Sequence, residues 1–144
     1  MSHSGWSYPI HIRFGDTDAL GHINNAVYLS YFEATRLAYA KYLLADTALG
    51  QIPFILGQAT VRFIKPVFFE DTIIATARIT RIGTKSFTLE HELLRGDEIV
   101  THCSSELIWF DYAADRSALV PDSFRERVQA VQMSNGESGI RNRE

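Results

Sequence analysis

Between residues 15 and 25 the chain reads GDTDALGHINN, which sets two carboxylates, an imidazole and two carboxamides within eleven residues. Asp18 and His22 are the pair best suited to chemistry. A carboxylate in a loop that feeds a helix lies near backbone N–H groups with no partner inside the helix, at the positive end of its dipole. Such a group can attack an electrophilic carbon, or it can act as a general base that activates water. The residue types leave both routes open. His22 could orient that water or polarise a carbonyl, and the free N–H groups could hold a developing oxyanion, a contribution of roughly 3 to 4 kcal/mol per donor. Asp16 is better suited to making the turn, and Asn24 or Asn25 to capping the helix that follows.

The neighbouring elements must hold these side chains in place. Residues 8–14 alternate in the manner of a strand, with Ile10 and Ile12 on one side. Residues 26–45 contain neither Gly nor Pro and repeat Ala and Leu, which predicts one long helix of about 30 Å. Its only charges are Glu33, Arg36 and Lys41, so the helix should be wrapped by other elements rather than docked by one face. Four strands follow over residues 54–69, 72–82, 86–94 and 99–112, with Pro66 expected at a bulge or an edge. Connections this short make the sheet antiparallel. A turn at Gly96-Asp97, with Arg95 and Glu98 paired, predicts a register in which Leu93 faces Val100 and His91 faces His102. That histidine pair lacks a third ligand, so no metal site is expected. A short docking helix is predicted over residues 122–131, and residues 133–144 read as a tail.

Composition narrows the function classes. A length of 144 residues suits one domain, assigned here to residues 1–132. Fourteen Lys and Arg against seventeen Asp and Glu give a net charge of -3, which supplies no general attraction to nucleic acid or anionic membrane. No apolar run is long enough to span a bilayer. The lone cysteine, Cys103, and the absence of a recognisable signal peptide point to a reducing cytoplasm.

Residues 13–33 (RFGDTDALGHINNAVYLSYFE) resemble the opening of the 4-hydroxybenzoyl-CoA thioesterase-like family, including its long-chain acyl-CoA thioesterases. The resemblance rests on Asp16-Thr-Asp18, on Gly21-His22-Ile-Asn24-Asn25 and on Tyr28-Leu-Ser-Tyr31-Phe-Glu33. Downstream, residues 63–71 (FIKPVFFED) and 82–86 (IGTKS) are similar to that family's second strand and following hairpin, so the likeness spans roughly residues 8–112. The loop is also similar to that of plant acyl-carrier-protein thioesterases, although Leu20 stands where those enzymes carry an Asn.

The resemblance implies an α+β hotdog fold, a five-stranded antiparallel sheet around one long central helix, and an acyl-CoA thioesterase without a cofactor. It makes Asp18 the essential carboxylate and His22 its companion. Asn25 becomes a candidate donor to the thioester oxygen, Tyr28 a lining residue of an acyl tunnel, and Arg81 and Lys85 candidate contacts for the CoA phosphates near the 82–86 turn. Glu33 is similar to a glutamate of the bacterial members, and its ordinary role is a pair with Arg36. A homodimer in which Asp18 faces the partner's strands is also implied, as is a homotetramer built as a dimer of dimers. Two other functions remain on these residues. One is a hotdog hydratase acting on enoyl or 3-hydroxyacyl thioesters, for which the Asp18 to His22 spacing is one residue short. The other is a non-catalytic acyl-CoA-binding module.

Overall fold

A computed structural model describes residues 5–45 and 47–136. In chain order the elements are β1 (Ser7–Ile10), α1 (Val27–Leu43), β2 (Phe54–Phe63), β3 (Ile73–Thr76), β4 (Arg78–Ile82), β5 (Ser86–Arg95), β6 (Glu98–Asp111), β7 (Arg116–Ser117) and α2 (Asp122–Ser134). All pairings are antiparallel, and the main path across the sheet runs β1-β3-β5-β6-β2. β4 continues the line of β3 beyond a break at Ala77 and pairs with β5, while the short β7 pairs with β6. This is the expected five-strand layout, with the 72–82 strand divided in two.

The helix α1 is three residues shorter than expected, beginning at Val27 and ending at Leu43 rather than spanning 26–45. Its buried residues, Tyr28, Tyr31, Phe32, Thr35, Tyr39, Ala40 and Leu43, follow three- and four-residue spacing and therefore form one face. The sheet curls over that face. The opposite face, with Leu29 at 50% exposure and Ser30, Glu33 and Ala34 also exposed, lies open in the single chain. The expected wrapping on all sides is thus not met within one chain: one face of α1 is buried, and a mixed face carrying Leu29 and Ala34 beside Ser30 and Glu33 is not covered by its own sheet.

Two registers depart from simple alternation. The β5–β6 hairpin pairs Arg95 with Glu98 and Leu94 with Ile99 as expected, then shifts, so that Leu93 opposes Thr101, Glu92 opposes His102 and His91 opposes Cys103. His91 and His102 are not partners. The cause is an extra residue at Val100: it and Thr101 are both fully buried, and the Val100 carbonyl accepts the N–H groups of Ile64 and Lys65, each at 3.0 Å. In β2 the irregularity falls between Leu56 and Gln58, at Gly57, where a Cβ would stand 2.6 Å from Ile108 Cδ1. Pro66 is not inside the strand, because β2 ends at Phe63.

The helix α2 extends past the expected Val131 to Ser134 and packs Phe124, Val128 and Val131 into the core. Gln132, 1% exposed, locks it there: its Oε1 accepts the Tyr39 hydroxyl (2.8 Å) and the Ile79 N–H (2.7 Å), and its Nε2 donates to the Ile79 carbonyl (3.0 Å). A buried carboxamide satisfied on both atoms fixes the register of helix against sheet. The expected tail beyond residue 136 lies outside the described residues.

Candidate functional site

Asp18 and His22 sit on a tight reversal between β1 and α1. The Asp18 N–H donates to the His22 carbonyl (2.9 Å), the Gly21 N–H donates to the Asp18 carbonyl (3.1 Å), and Gly21 adopts φ +88, a conformation that side chains other than glycine's disfavour. Thr17 and Ile23 bridge across its base. The reversal folds His22 back over Asp18, placing His22 Nδ1 3.3 Å from Asp18 Oδ2. The other oxygen, Oδ1, accepts the Leu20 N–H at 2.8 Å. One oxygen therefore makes the turn and the other faces the imidazole. Both side chains remain about a third exposed, 31% for Asp18 and 30% for His22.

The carboxylate two residues earlier has a different setting. Asp16, 6% exposed, accepts the Tyr31 hydroxyl (2.7 Å) and the Arg13 N–H (3.0 Å). Burial pushes its carboxyl up, but the hydrogen bonds from Arg13 and Tyr31 outweigh that and hold it below the ordinary value. Asp16 is a tether from the loop to α1, in keeping with its expected structural role. Asn24 lies ahead of the helix start, its Oδ1 accepting the Ala26 N–H (3.0 Å) and its carbonyl the Val27 N–H (2.9 Å), but Ala26 holds the cap position with no side-chain cap bond, so neither Asn24 nor Asn25 is the helix cap that was expected. Those two N–H groups are consequently engaged by Asn24, and the donor that meets Asp18 comes from its own turn rather than from the helix.

Beside His22 opens a cleft of about 200 Å³ whose walls include Asn25, Tyr28, Phe63, Ile64 and Lys65. Asp18 adjoins it through His22. Tyr28 is only 2% exposed, its ring lying edge-on to Phe63 with centroids 5.0 Å apart. It is both core and cleft wall. Burial raises its phenol above the ordinary value, opposed by the Val67 backbone and the Thr101 hydroxyl, both in the buried interior. Lys65 was not among the expected site residues; it pairs with Glu98 across the fold. Its place in the run FIKP, after the end of β2, was the only available signal.

Arg81 and Lys85 lie elsewhere. Arg81 is on β4 opposite Thr88, and Lys85 is exposed in the turn that leads to β5. Neither is among the residues lining the cleft beside His22, so within one chain the two expected halves of the site are not brought together. Glu33 and Arg36 form the expected pair, at 3.8 Å. His91 is fully buried and stacked on Phe32, with its Nδ1 2.9 Å from the Thr76 carbonyl. Burial lowers it to about 4, so it is neutral at pH 7. Among the described residues, no group of three or more His, Cys, Asp or Glu is placed to hold a metal, and no helix is long and apolar enough to cross a membrane.

Residues 12–128 match the thioesterase-like superfamily. The chain is similar to the acyl-CoA thioesterase YbgC of Haemophilus influenzae, with 22% identity over 135 residues covering 91% of this chain and 96% of that protein. Among solved structures, it is similar to a thioesterase from Thermus thermophilus crystallised with coenzyme A and zinc. The TM-score is 0.81 at 30% identity, covering 88% of this chain and 93% of the other. A gentisyl-coenzyme A thioesterase shares the fold, with a TM-score of 0.72 at 22% identity over 85% of this chain and 99% of that one.

Proposed function

The chain belongs to the thioesterase-like superfamily and is a thioester hydrolase, and on that premise we propose that it cleaves acyl-CoA to free acid and CoA with Asp18 as its central carboxylate. The observation that carries this reading is the 3.3 Å approach of His22 Nδ1 to the Asp18 oxygen left over from the turn, beside a cleft walled by Asn25 and Tyr28. Two routes use the same atoms. Asp18 Oδ2 attacks the thioester carbon and expels the CoA thiolate, giving a mixed anhydride that water then hydrolyses. Alternatively it takes a proton from water as that water attacks, and the thiolate leaves protonated. In either route His22 orients the carboxylate, Asn25 donates to the carbonyl oxygen as charge builds there, and Tyr28 serves as a wall of the cleft.

Arg81 and Lys85 fit this reading as contacts for the CoA phosphates if a second copy brings them to the cleft. Support for a homodimer comes from apolar side chains exposed on one side of the chain: Leu29 on α1, Leu56 and Phe63 on β2, and Ile64 just beyond. In the described sheet β2 is an edge strand, whose unpaired backbone groups favour addition of another strand. Pairing of such dimers into a tetramer is the assembly proposed, and a reducing cytoplasm suits the free, buried Cys103.

The test is thiol release from a panel of acyl-CoAs of graded chain length, with the native protein and Asp18→Asn. The substitution should lower kcat/KM by at least about a hundredfold with folding and assembly kept. A burst of thiol equal to the enzyme concentration would select the anhydride route. Native-like turnover by Asp18→Asn would refute the assignment, and tight acyl-CoA binding without turnover by the native protein would favour a binding module.

A further inference from the structure

The carboxylate–imidazole pair is held from one side only by its own turn. The other side is residues 66–71, which follow β2 and run alongside the loop. The Ile23 N–H donates to the Val67 carbonyl (2.8 Å), His22 and Phe68 form an antiparallel bridge, and their rings meet edge-on with centroids 6.1 Å apart. His22 is therefore registered on a segment that has no strand of its own beneath it.

Besides the buried Val67 and these loop contacts, one guanidinium ties both ends of that segment to the sheet. Arg95, the last residue of β5, donates from Nη1 both to the Pro66 carbonyl (3.1 Å) and to Asp71 Oδ2 (2.8 Å), catching the segment at its two ends. The same Asp71 oxygen accepts the Phe68 N–H (2.8 Å), and the Asp71 N–H donates to the Phe68 carbonyl (3.0 Å), which closes the turn next to the His22 bridge. From Nη2, Arg95 donates to Glu98 Oε1 (2.8 Å) across the hairpin turn, and Glu98 also binds Lys65 at the cleft. A lysine could not reproduce this, because a planar fork with several fixed donors is needed to hold a carbonyl and two carboxylates at once. Arg95 and Asp71 are 28% and 22% exposed, sheltered enough for the bonds to be geometrically selective.

We infer that Arg95 is a positioning residue for the Asp18–His22 pair, acting through residues 66–71 and not by contact with substrate. The inference rests on the proposed role of that pair. A displacement of about 1 Å at a reacting group can lower a rate by up to about a hundredfold, so release of the segment should be read chiefly in kcat.

The experiment is a double-mutant cycle on thioester hydrolysis with Arg95→Met and His22→Ala. Arg95→Met alone should lower kcat by about tenfold or more while KM stays within about threefold. In the His22→Ala background it should change kcat by less than about twofold, since there is no imidazole left to misplace. Equal effects in the two backgrounds would mean that Arg95 supports only the fold, and would overturn the inference. If Arg95→Met does not fold, Asp71→Asn takes its place in the cycle. The amide oxygen still accepts the Phe68 N–H but gives up the charge that Arg95 holds, and a loss of at least about threefold, again absent without His22, is expected. Asp18→Asn measured alongside separates the failures: full activity there sinks the site and this inference together. Inactivity there with an additive Arg95 cycle sinks the inference alone.

Discussion

The loop that carries His22 and the sheet interior that carries His91 treat the same side chain in opposite ways. His22 keeps about a third of its surface in solvent, faces a carboxylate oxygen at 3.3 Å and stands at a cleft. His91 has no exposed surface, lies flat on Phe32 and reaches one backbone carbonyl. Its Nε2 has no partner among the described residues, a condition that an uncharged ring tolerates and a charged one does not. The carboxylates repeat the contrast: Asp16 is committed to Tyr31 and Arg13, whereas Asp18 gives one oxygen to its turn and keeps one. A side chain here is open to chemistry only where the fold leaves one of its bonding atoms both uncommitted to structure and within reach of solvent.

The sharpest way to break the histidine contrast is a pH series. The folded state holds His91 at about 4 against an ordinary value of 6.5, so the neutral form is favoured on folding. Its stabilising effect is fully present above pH 6.5 and is lost as pH falls from there toward 4, by about 3 kcal/mol over the window. Urea midpoints of the native protein should fall across that range, and His91→Phe, which can keep the stack on Phe32, should flatten the slope. His22→Ala should keep stability at pH 7 within about 0.5 kcal/mol of native while activity drops. Parallel pH curves for native protein and His91→Phe would show that the buried imidazole is not the acid-sensitive group.

How far the sequence reaches can be judged on the same residues. That residues 15–25 form a polar loop ahead of the long helix was legible because its determinants are local, two glycines, two aspartates and two asparagines within eleven residues, whereas the reversal that folds His22 over Asp18 was not. The antiparallel pairing and the hairpin at Gly96-Asp97 were legible from short connections and turn residues, whereas the order β1-β3-β5-β6-β2 was not. The His91 partner was not, since the shift at Val100 is fixed by Ile64 and Lys65, which reach its carbonyl from another strand's end. The contacts of Arg95 with Asp71 and of Lys65 with Glu98 were not legible for the same reason, since they join segments far apart in the chain. The apolar ring around α1 predicted burial on all sides, because composition cannot say whether the same chain or another covers a face. Arg81 and Lys85 were assigned through resemblance, and the single chain keeps them away from the cleft.

A smaller effect sharpens the carboxylate contrast. Tyr31→Phe removes the hydroxyl that Asp16 accepts at 2.7 Å and leaves that buried carboxylate with the Arg13 N–H as its main donor. A hydrogen bond to a charged group is worth roughly 1.5 to 3 kcal/mol, so the variant should be destabilised by about 2 kcal/mol at neutral pH. The sign follows from the lowered Asp16 carboxyl: its contribution is complete above the ordinary value of 3.8 and disappears as pH falls through the folded-state value. The gap between native protein and Tyr31→Phe should therefore be widest near pH 7 and close below about pH 4, a lower window than the one set by His91. Because Asp16 tethers the loop to α1 while Asp18 turns its second oxygen to His22, kcat should stay within about threefold of native. A loss comparable to that of Asp18→Asn would mean that the two carboxylates act as one unit, and the division between anchor and reactive group would have to be abandoned.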